Sequence, residues 1–451
     1  MKRLITIIVL LAVLCSAFLP AIAEEKQYDL GGRTVTIGSY RELKPSENSY
    51  TYAEQMALIE SIEKKYNCKL AFNSAGGDFH SWDATVKAMA LSGEPIADVF
   101  CHVADYIIPT WIYADLVEPI GKYLDTSDPM WNREVMDAFQ YNGQDYMVSM
   151  GVDAPGVLIL FNKRICAEYG ITDEYLYDLQ ANGEWTWDKL LEAAAKCTQD
   201  TNNDGQTDIW GFCAYGAAPV IAESFVYANG GTCVEVDEQL RYHYSLNTPE
   251  AIEAIEWCRA LVNDSGVCFF EDWSWGAGEK MWNRSKIAFY QVFSWLVKDY
   301  VPNLEEDEFG VLLVPKGPQA ADYVNAMNVP DGWFIPKGVE NPEAIASILV
   351  DYLYPYEWRE IYDPVESFEN IVFDDRSLEA LELIDGRTVM ALGENATWYR
   401  DNVLWNDFGV MSNTPGRVFA ETYEAPSQAS FDELLVVFND RLQDNTEEVK
   451  P

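Results

Sequence analysis

Val157-Leu158-Ile159-Leu160-Phe161 is an unbroken apolar run that ends in Asn162-Lys163. No polar residue alternates with the apolar ones, so the run reads as a strand covered on both faces of a sheet. The residues after it fit an α/β layer. Thr186 stands where a helix N-cap would, and Asp188 falls in the first turn, where a carboxylate favours the helix dipole. Leu190, Leu191, Ala194 and Cys197 recur at helical spacing and share one face. The segment closes in a polar loop from Asp200 to Asp208.

The same alternation extends both ways along the chain. Thr34–Gly38, Lys69–Phe72 and Ala97–Phe100 read as short strands, and Leu58, Ile59, Ile62 and Tyr66 mark one face of a helix between the first two. Strands alternating with helices predict a largely parallel, three-layer α/β domain. Gln144–Val148 breaks the pattern and reads as a connecting strand. It resumes with Lys286–Tyr290 and with Phe309–Val314, ended by Pro315 and Gly317. Asp331–Phe334 then leads towards a helix near 342–354. The rest is expected to be mostly helical.

Taken in order, these features resemble the bacterial extracellular solute-binding proteins of ABC importers, the maltose-binding-like branch. That family carries a strand of the type L-x-x-N-K-x-x-F, a G-E-W-T-W-D-x-L helix start and a D-x-D-G-D-G loop. Its later landmarks, G-x-x-A-x…W, F-G-V-x-x-x-P-K-G-P and N-P-E-A-A, read here as Gly278 to Trp295, Phe309 to Pro318 and Asn341 to Ala344. The resemblance covers residues 33 to 355. It implies a two-lobed periplasmic-binding-protein fold of type II, with a ligand between the lobes. Each lobe would be discontinuous: 24–149 with 315–355, and 150–314 with 356–451. The crossings would fall near 147–152, 314–317 and 355.

Lys2 and Arg3 open a charged n-region, Leu4 to Leu14 is almost wholly apolar, and Ala21-Ile22-Ala23 is a cleavage pattern before Glu24. This is a secretory signal peptide covering 1–23. The apolar run is shorter than the ~20 residues that span a bilayer. Cys15 follows Leu14, not the small residue a lipobox needs, so no lipid anchor is expected. Cleavage removes two positive charges and no acid, taking the net charge from −42 to −44. Such a chain is repelled by nucleic acid and anionic lipid, and it carries no Lys/Arg cluster. Its 14% aromatic content argues against disorder despite the charge.

Eight cysteines remain after cleavage, with no C-x-x-C spacing, so a zinc site is not expected. Secretion permits disulfides, and Cys258 and Cys268 are the nearest pair; free buried thiols are the other reading. The three histidines, His80, His102 and His243, belong to no H-E-x-x-H, and there is no G-x-S-x-G, P-loop or G-x-G-x-x-G. Nothing assembles a nucleophile, base or metal, so the chain is not expected to be an enzyme. No cofactor is required. Asp200, Asn202, Asp204, Gln206 and Asp208 occupy positions 1, 3, 5, 7 and 9 of an EF-hand-like loop, with Gly205 at the sharp turn. Position 12 is Gly211 where a bidentate Glu is usual. The loop therefore reads either as a weak calcium site or as a self-satisfied turn.

Ligand residues are sought at strand ends. Ser39, Tyr40 and Arg41 follow the first strand, and His102, Asp105 and Tyr106 follow the third. Asp153 lies just past a crossing, where the resemblance implies an acid. It also implies that Trp295 stacks on a sugar, against the alternative of a core role. Asp331 and Trp333 sit on the strand that returns near the hinge. Acids, aromatics and one Arg suit a neutral polyol. The reading is a secreted monomer, periplasmic or at the cell surface, that binds a carbohydrate and delivers it to an ABC permease. The alternatives are a non-sugar solute such as a polyamine, or a secreted carbohydrate-active enzyme.

Overall fold

The computed structural model describes residues 27–108, 110–151, 156–215, 218–237, 242–269, 277–294, 296–297, 308–327, 329–358, 372, 374–383, 387–390, 425–429 and 432. The signal peptide, Asp153, Trp295 and most of the segment beyond 358 lie outside them.

Two four-stranded sheets organise these residues. The first uses β1 (Thr34–Gly38), β2 (Lys69–Asn73), β3 (Val99–Val103) and, from far along the chain, β11 (Asp331–Phe334), in the order β11-β3-β1-β2. β1 runs parallel to β2 and β3, while β11 is antiparallel to β3, with Asp331 opposite Val103. The helices Tyr52–Tyr66 and Pro342–Leu353 cover one face through Leu58, Ile62, Ile345 and Leu349. The helix Phe79–Ser92 covers the other through Trp82, Val86 and Met89, against Phe100 and Phe334.

The second sheet uses β4 (Val157–Asn162), β5 (Trp210–Ala214), β8 (Ile287–Phe293) and β9 (Phe309–Leu313), in the order β5-β8-β4-β9. β6 (Val234–Val236) and β7 (Tyr242–Tyr244), between β5 and β8 in sequence, pair antiparallel, and β10 (Asn325–Met327), after β9, pairs with β12 (Thr388–Met390). β4 is buried along its whole length, as its apolar run demands. Asn162 ends it and caps the next helix, its Oδ1 accepting from the Ile165 N–H at 2.9 Å. The expectation of a parallel arrangement fails here. β4 is antiparallel to both its neighbours, and only β5 and β8 run parallel. β4 enters directly from the crossing, so its direction is set by where the chain arrives.

The helix Trp187–Cys197 buries Trp187, Leu190, Ala193, Ala194 and Cys197. Thr186 holds the N-cap position without using its hydroxyl there. Instead, its main chain bridges to Lys316, and Trp185 Nε1 donates to the Leu313 carbonyl at 2.9 Å. The turn is pinned to β9 by tertiary contacts. Val314, Tyr323 and Ala326 pack in the second core, and Val329 packs in the first. Tyr356 and Trp358 also pack on the first core.

Gly211 shows how closely the layers approach. A Cβ there would lie 2.1 Å from the Ala194 carbonyl oxygen, inside the helix Trp187–Cys197. Neither β5 nor the helix backbone can yield cheaply. Gly211→Ala is therefore expected to cost ~1–3 kcal/mol or more of stability, as overpacking does. Urea denaturation checks it, and an unchanged midpoint would refute the close approach.

Candidate functional site

The carboxyl ends of β1 and β3 and the start of β11 meet at one edge of the first sheet. Gly38 ends β1 where the Trp82 ring passes so close that a Cβ would lie 2.4 Å from it. The chain then turns at Ser39, whose buried hydroxyl accepts the Arg41 N–H at 3.1 Å. That turn sends Tyr40 and Arg41 outward to Asp331. The Tyr40 hydroxyl lies 2.9 Å from each carboxylate oxygen, and the Arg41 guanidinium pairs with the same group at 2.8 Å. Arg41 also lies 5.0 Å from the Tyr40 ring centre. Burial, and then the Asp331 carboxylate, push Tyr40 ionisation well above the ordinary phenol range, so the hydroxyl stays a donor.

Aromatic rings flank this trio. The helix Phe79–Ser92 is capped by Asp78, which accepts the Ser81 N–H at 2.7 Å, and its first residue places a ring against Tyr40 at 5.2 Å. The Phe79 ring lies 5.5 Å from that of Tyr106. His102 sits within this group, 4.9 Å from Tyr106 and 5.4 Å from Phe79 between ring centres. Its Nε2 is 3.6 Å from Asp83, which also pairs with Lys87 at 2.8 Å. Burial raises the Asp83 carboxyl, but His102 and Lys87 outweigh it and hold it below the ordinary carboxylate range. The arrangement offers a carboxylate, a guanidinium and a phenol beside ring faces, which is hydrogen-bonding and stacking chemistry.

The second sheet ends in aromatics too. Tyr215 and Phe293, at the carboxyl ends of the parallel strands β5 and β8, meet edge to face at 6.3 Å. Topology turns these ends towards the first site. Val157 at the start of β4 pairs with Phe293, and β10 lies beside it, leading from Met327 to Asp331. Four residue steps span at most about 14 Å when extended.

Both cores, the crossing chain and the facing strand ends agree with the match of residues 44–357 to the family model for bacterial extracellular solute-binding proteins. The chain belongs to that family. Solved structures confirm the fold of this solute-binding protein. The lacto-N-biose complex of the galacto-N-biose-/lacto-N-biose I-binding protein from Bifidobacterium longum is similar at a TM-score of 0.64 and 13% identity, over 91% of this chain and 98% of that one. The maltodextrin-binding MalE domain from Bdellovibrio bacteriovorus, bound to maltotriose, gives 0.60 and 16%, over 89% and 99%. The substrate-binding protein Lmo0181 from Listeria monocytogenes, with cycloalternan, gives 0.58 and 16%, over 92% and 99%. No curated protein matches the sequence. Among the described residues no helix is long and apolar enough to cross a membrane.

The structure brings Tyr40, Arg41 and Asp331 together and places the other expected residues among those described apart from their side chains. His102 and Asp105 are 0% and 1% exposed, and His102 lies 6.3 Å from the Tyr40 ring between ring centres. Trp333 is one of the residues packed on the first core, edge to face with Tyr352 at 6.5 Å. Two residues on from Asp331 along β11, it is directed into that core. Phe79 and Asp83 were not foreseen; the only signal for them was a helix opening after the second strand. All eight mature cysteines are buried and free.

The loop of Asp200, Asn202, Asp204, Gln206 and Asp208, open in the sequence between a weak calcium site and a self-satisfied turn, forms hydrogen bonds within itself. Among the described residues no group of acids, His or Cys could hold a metal ion. Asp200 accepts the Gly205 N–H at 2.8 Å, Asp204 accepts that of Gln206 at 2.8 Å, and Asp208 accepts from Thr201 N–H at 2.8 Å. The missing twelfth ligand has a steric cause, since Gly211 is pressed on Ala194. EDTA is expected to leave the melting temperature unchanged, and Asp204→Ala to behave alike with and without chelator. A chelator-sensitive melt would restore the metal.

Proposed function

We propose that this solute-binding protein binds an uncharged carbohydrate between its lobes and delivers it to an ABC permease. The observation that carries this reading is the compensated trio of Tyr40, Arg41 and Asp331 beside ring faces. Its one carboxylate is already matched by a guanidinium. A neutral polyol meets there both a strong acceptor and strong donors without leaving a charge unpaired. The apolar face of a sugar ring suits Tyr40 and, across the crossing, Tyr215 and Phe293. Structurally similar proteins of the same fold hold maltotriose, cycloalternan and lacto-N-biose.

A polyamine fits less well. The net charge of −42 attracts cations in general, but the trio has no spare carboxylate to receive one. An enzyme would need a positioned nucleophile or acid–base pair, and this trio supplies neither. The protein acts as a monomer outside the membrane, with its leader removed after Ala23. Mass spectrometry of secreted protein is expected to give Glu24 as the unmodified first residue. A diacylglyceryl group on Cys15 would overturn that.

A thermal-shift panel of neutral saccharides, uronates, amino sugars and polyamines tests the ligand class. At 100 times its dissociation constant the right ligand stabilises by about 2.7 kcal/mol. A stable shift without released monosaccharide supports transport binding, and turnover would favour the enzyme. Trp295→Ala belongs to the same experiment. As a stacking partner it is expected to weaken binding by ~1–3 kcal/mol with the fold intact. A core residue would instead cost ~3–5 kcal/mol of stability.

A further inference from the structure

Asp331 belongs to two systems at once. Its carboxylate holds Tyr40 and Arg41, while its main-chain carbonyl accepts the Ser149 hydroxyl at 2.7 Å. Ser149 is fully buried, and its Oγ also accepts the Gly151 N–H at 3.0 Å. One residue earlier, Val148 exchanges main-chain hydrogen bonds with Trp333 at 2.9 and 3.3 Å. Gly151 then passes so near Pro330 that a Cβ would lie 2.5 Å from the proline Cβ. The first crossing is thus fastened to the residues immediately around Asp331.

A second fastening lies on the other side. The Asn325 amide, oriented so that both its ends are satisfied, donates to the Val157 carbonyl and accepts the Gly156 N–H, each at 3.0 Å. It takes the place of a neighbouring strand at the start of β4. The two crossings are therefore stapled twice by side chains bonded to main chain, once at Asp331 in the first lobe and once at Gly156 in the second.

We infer that Asp331 couples the binding site to the crossings, so that the hydrogen bonding of its carboxylate sets the relation between the lobes. Packed backbone transmits displacement and cannot absorb it. A ligand that draws on Tyr40, Arg41 or the carboxylate shifts the Asp331 main chain, and Ser149 and Gly151 must follow. Coupling of this kind is reciprocal. Ser149, whose hydroxyl bonds the Asp331 main-chain carbonyl and accepts the Gly151 N–H, must then influence ligand affinity. The inference rests on the proposed ligand reading for its affinity arm only.

The test uses full-length mature protein and the variants Ser149→Ala, Asp331→Asn and the double variant. Affinity is measured by calorimetry with the saccharide that shifts the wild-type melt. Ligand-free small-angle scattering and a melt are recorded for each. Ser149→Ala is expected to change affinity at least about fivefold, the lower end of ordinary coupling. It is also expected to alter the ligand-free radius of gyration. In the Asp331→Asn background the same change should have a smaller effect, as residues acting through one another are not additive. Wild-type affinity and scattering in Ser149→Ala, or full additivity with Asp331→Asn, overturns the coupling. Should Ser149→Ala fail to fold, Asn325→Asp, which loses the donor to Val157, is read by scattering in its place, and a wild-type radius counts against the inference. If no saccharide binds wild-type protein, the carbohydrate reading falls, and ligand-free scattering alone decides the coupling.

Discussion

The first sheet takes its fourth strand from beyond the whole of the second. β11 hydrogen-bonds to β3 along Asp331–Phe334, and without it the edge of β3 and the Phe100 ring, stacked on Phe334, would lose their cover. Much else follows from this one ladder. The chain must leave the first lobe, build the second and come back, which makes the first lobe discontinuous and lays the two crossings together. The return also carries Asp331 to the end of β3, beside Tyr40. The entropic cost of so long an excursion is modest, since each doubling of a loop adds only about 0.6 kcal/mol. Here the excursion has its own core, and Asn325 on Gly156 and Val157 holds its ends together.

Legibility in the sequence followed how local the cause was. The doubly buried β4 could be read because burial on two faces leaves no alternation to confuse. The helix Trp187–Cys197 could be read from its spacing. Strand direction could not. An apolar run is the same in either sense, and β4 is antiparallel to its neighbours because of where the crossing delivers it. For the same reason the packing that follows Pro315 and Gly317, where Tyr323 and Ala326 join the second core, was not legible.

The site divides in the same way. Tyr40 and Arg41 were legible as polar residues just past a strand. Asp331 was legible as a residue, but its pairing with them was not, because it depends on the long-range ladder. The burial of His102 and Asp105 was not legible, because a polar side chain on a covered face is written no differently from one on an open face. Only the helix Phe79–Ser92, folded over β3, distinguishes them. The acidic loop left two readings open. Its spacing fits a calcium loop, but its carboxylates are taken up by its own N–H groups. The position that would complete the shell is glycine because a helix backbone lies against it.

The contrast between global and local charge bears on selectivity. The chain carries −42, yet the trio at the strand ends is one carboxylate matched by one guanidinium. At physiological ionic strength exposed charges are screened beyond about 8 Å, so the acidic surface acts on charged solutes mainly as they come close to it. An anion is repelled before it reaches the site, and a cation gathers at the many surface acids. A neutral solute feels neither effect and meets only the local groups. Within the site, Asp331 cannot serve a cation without giving up Arg41, and Arg41 cannot serve an anion without giving up Asp331. Either exchange breaks a pair in order to form one, whereas a hydroxyl adds to both. On the proposed reading, the pairing that positions Asp331 at the crossing also favours uncharged ligands.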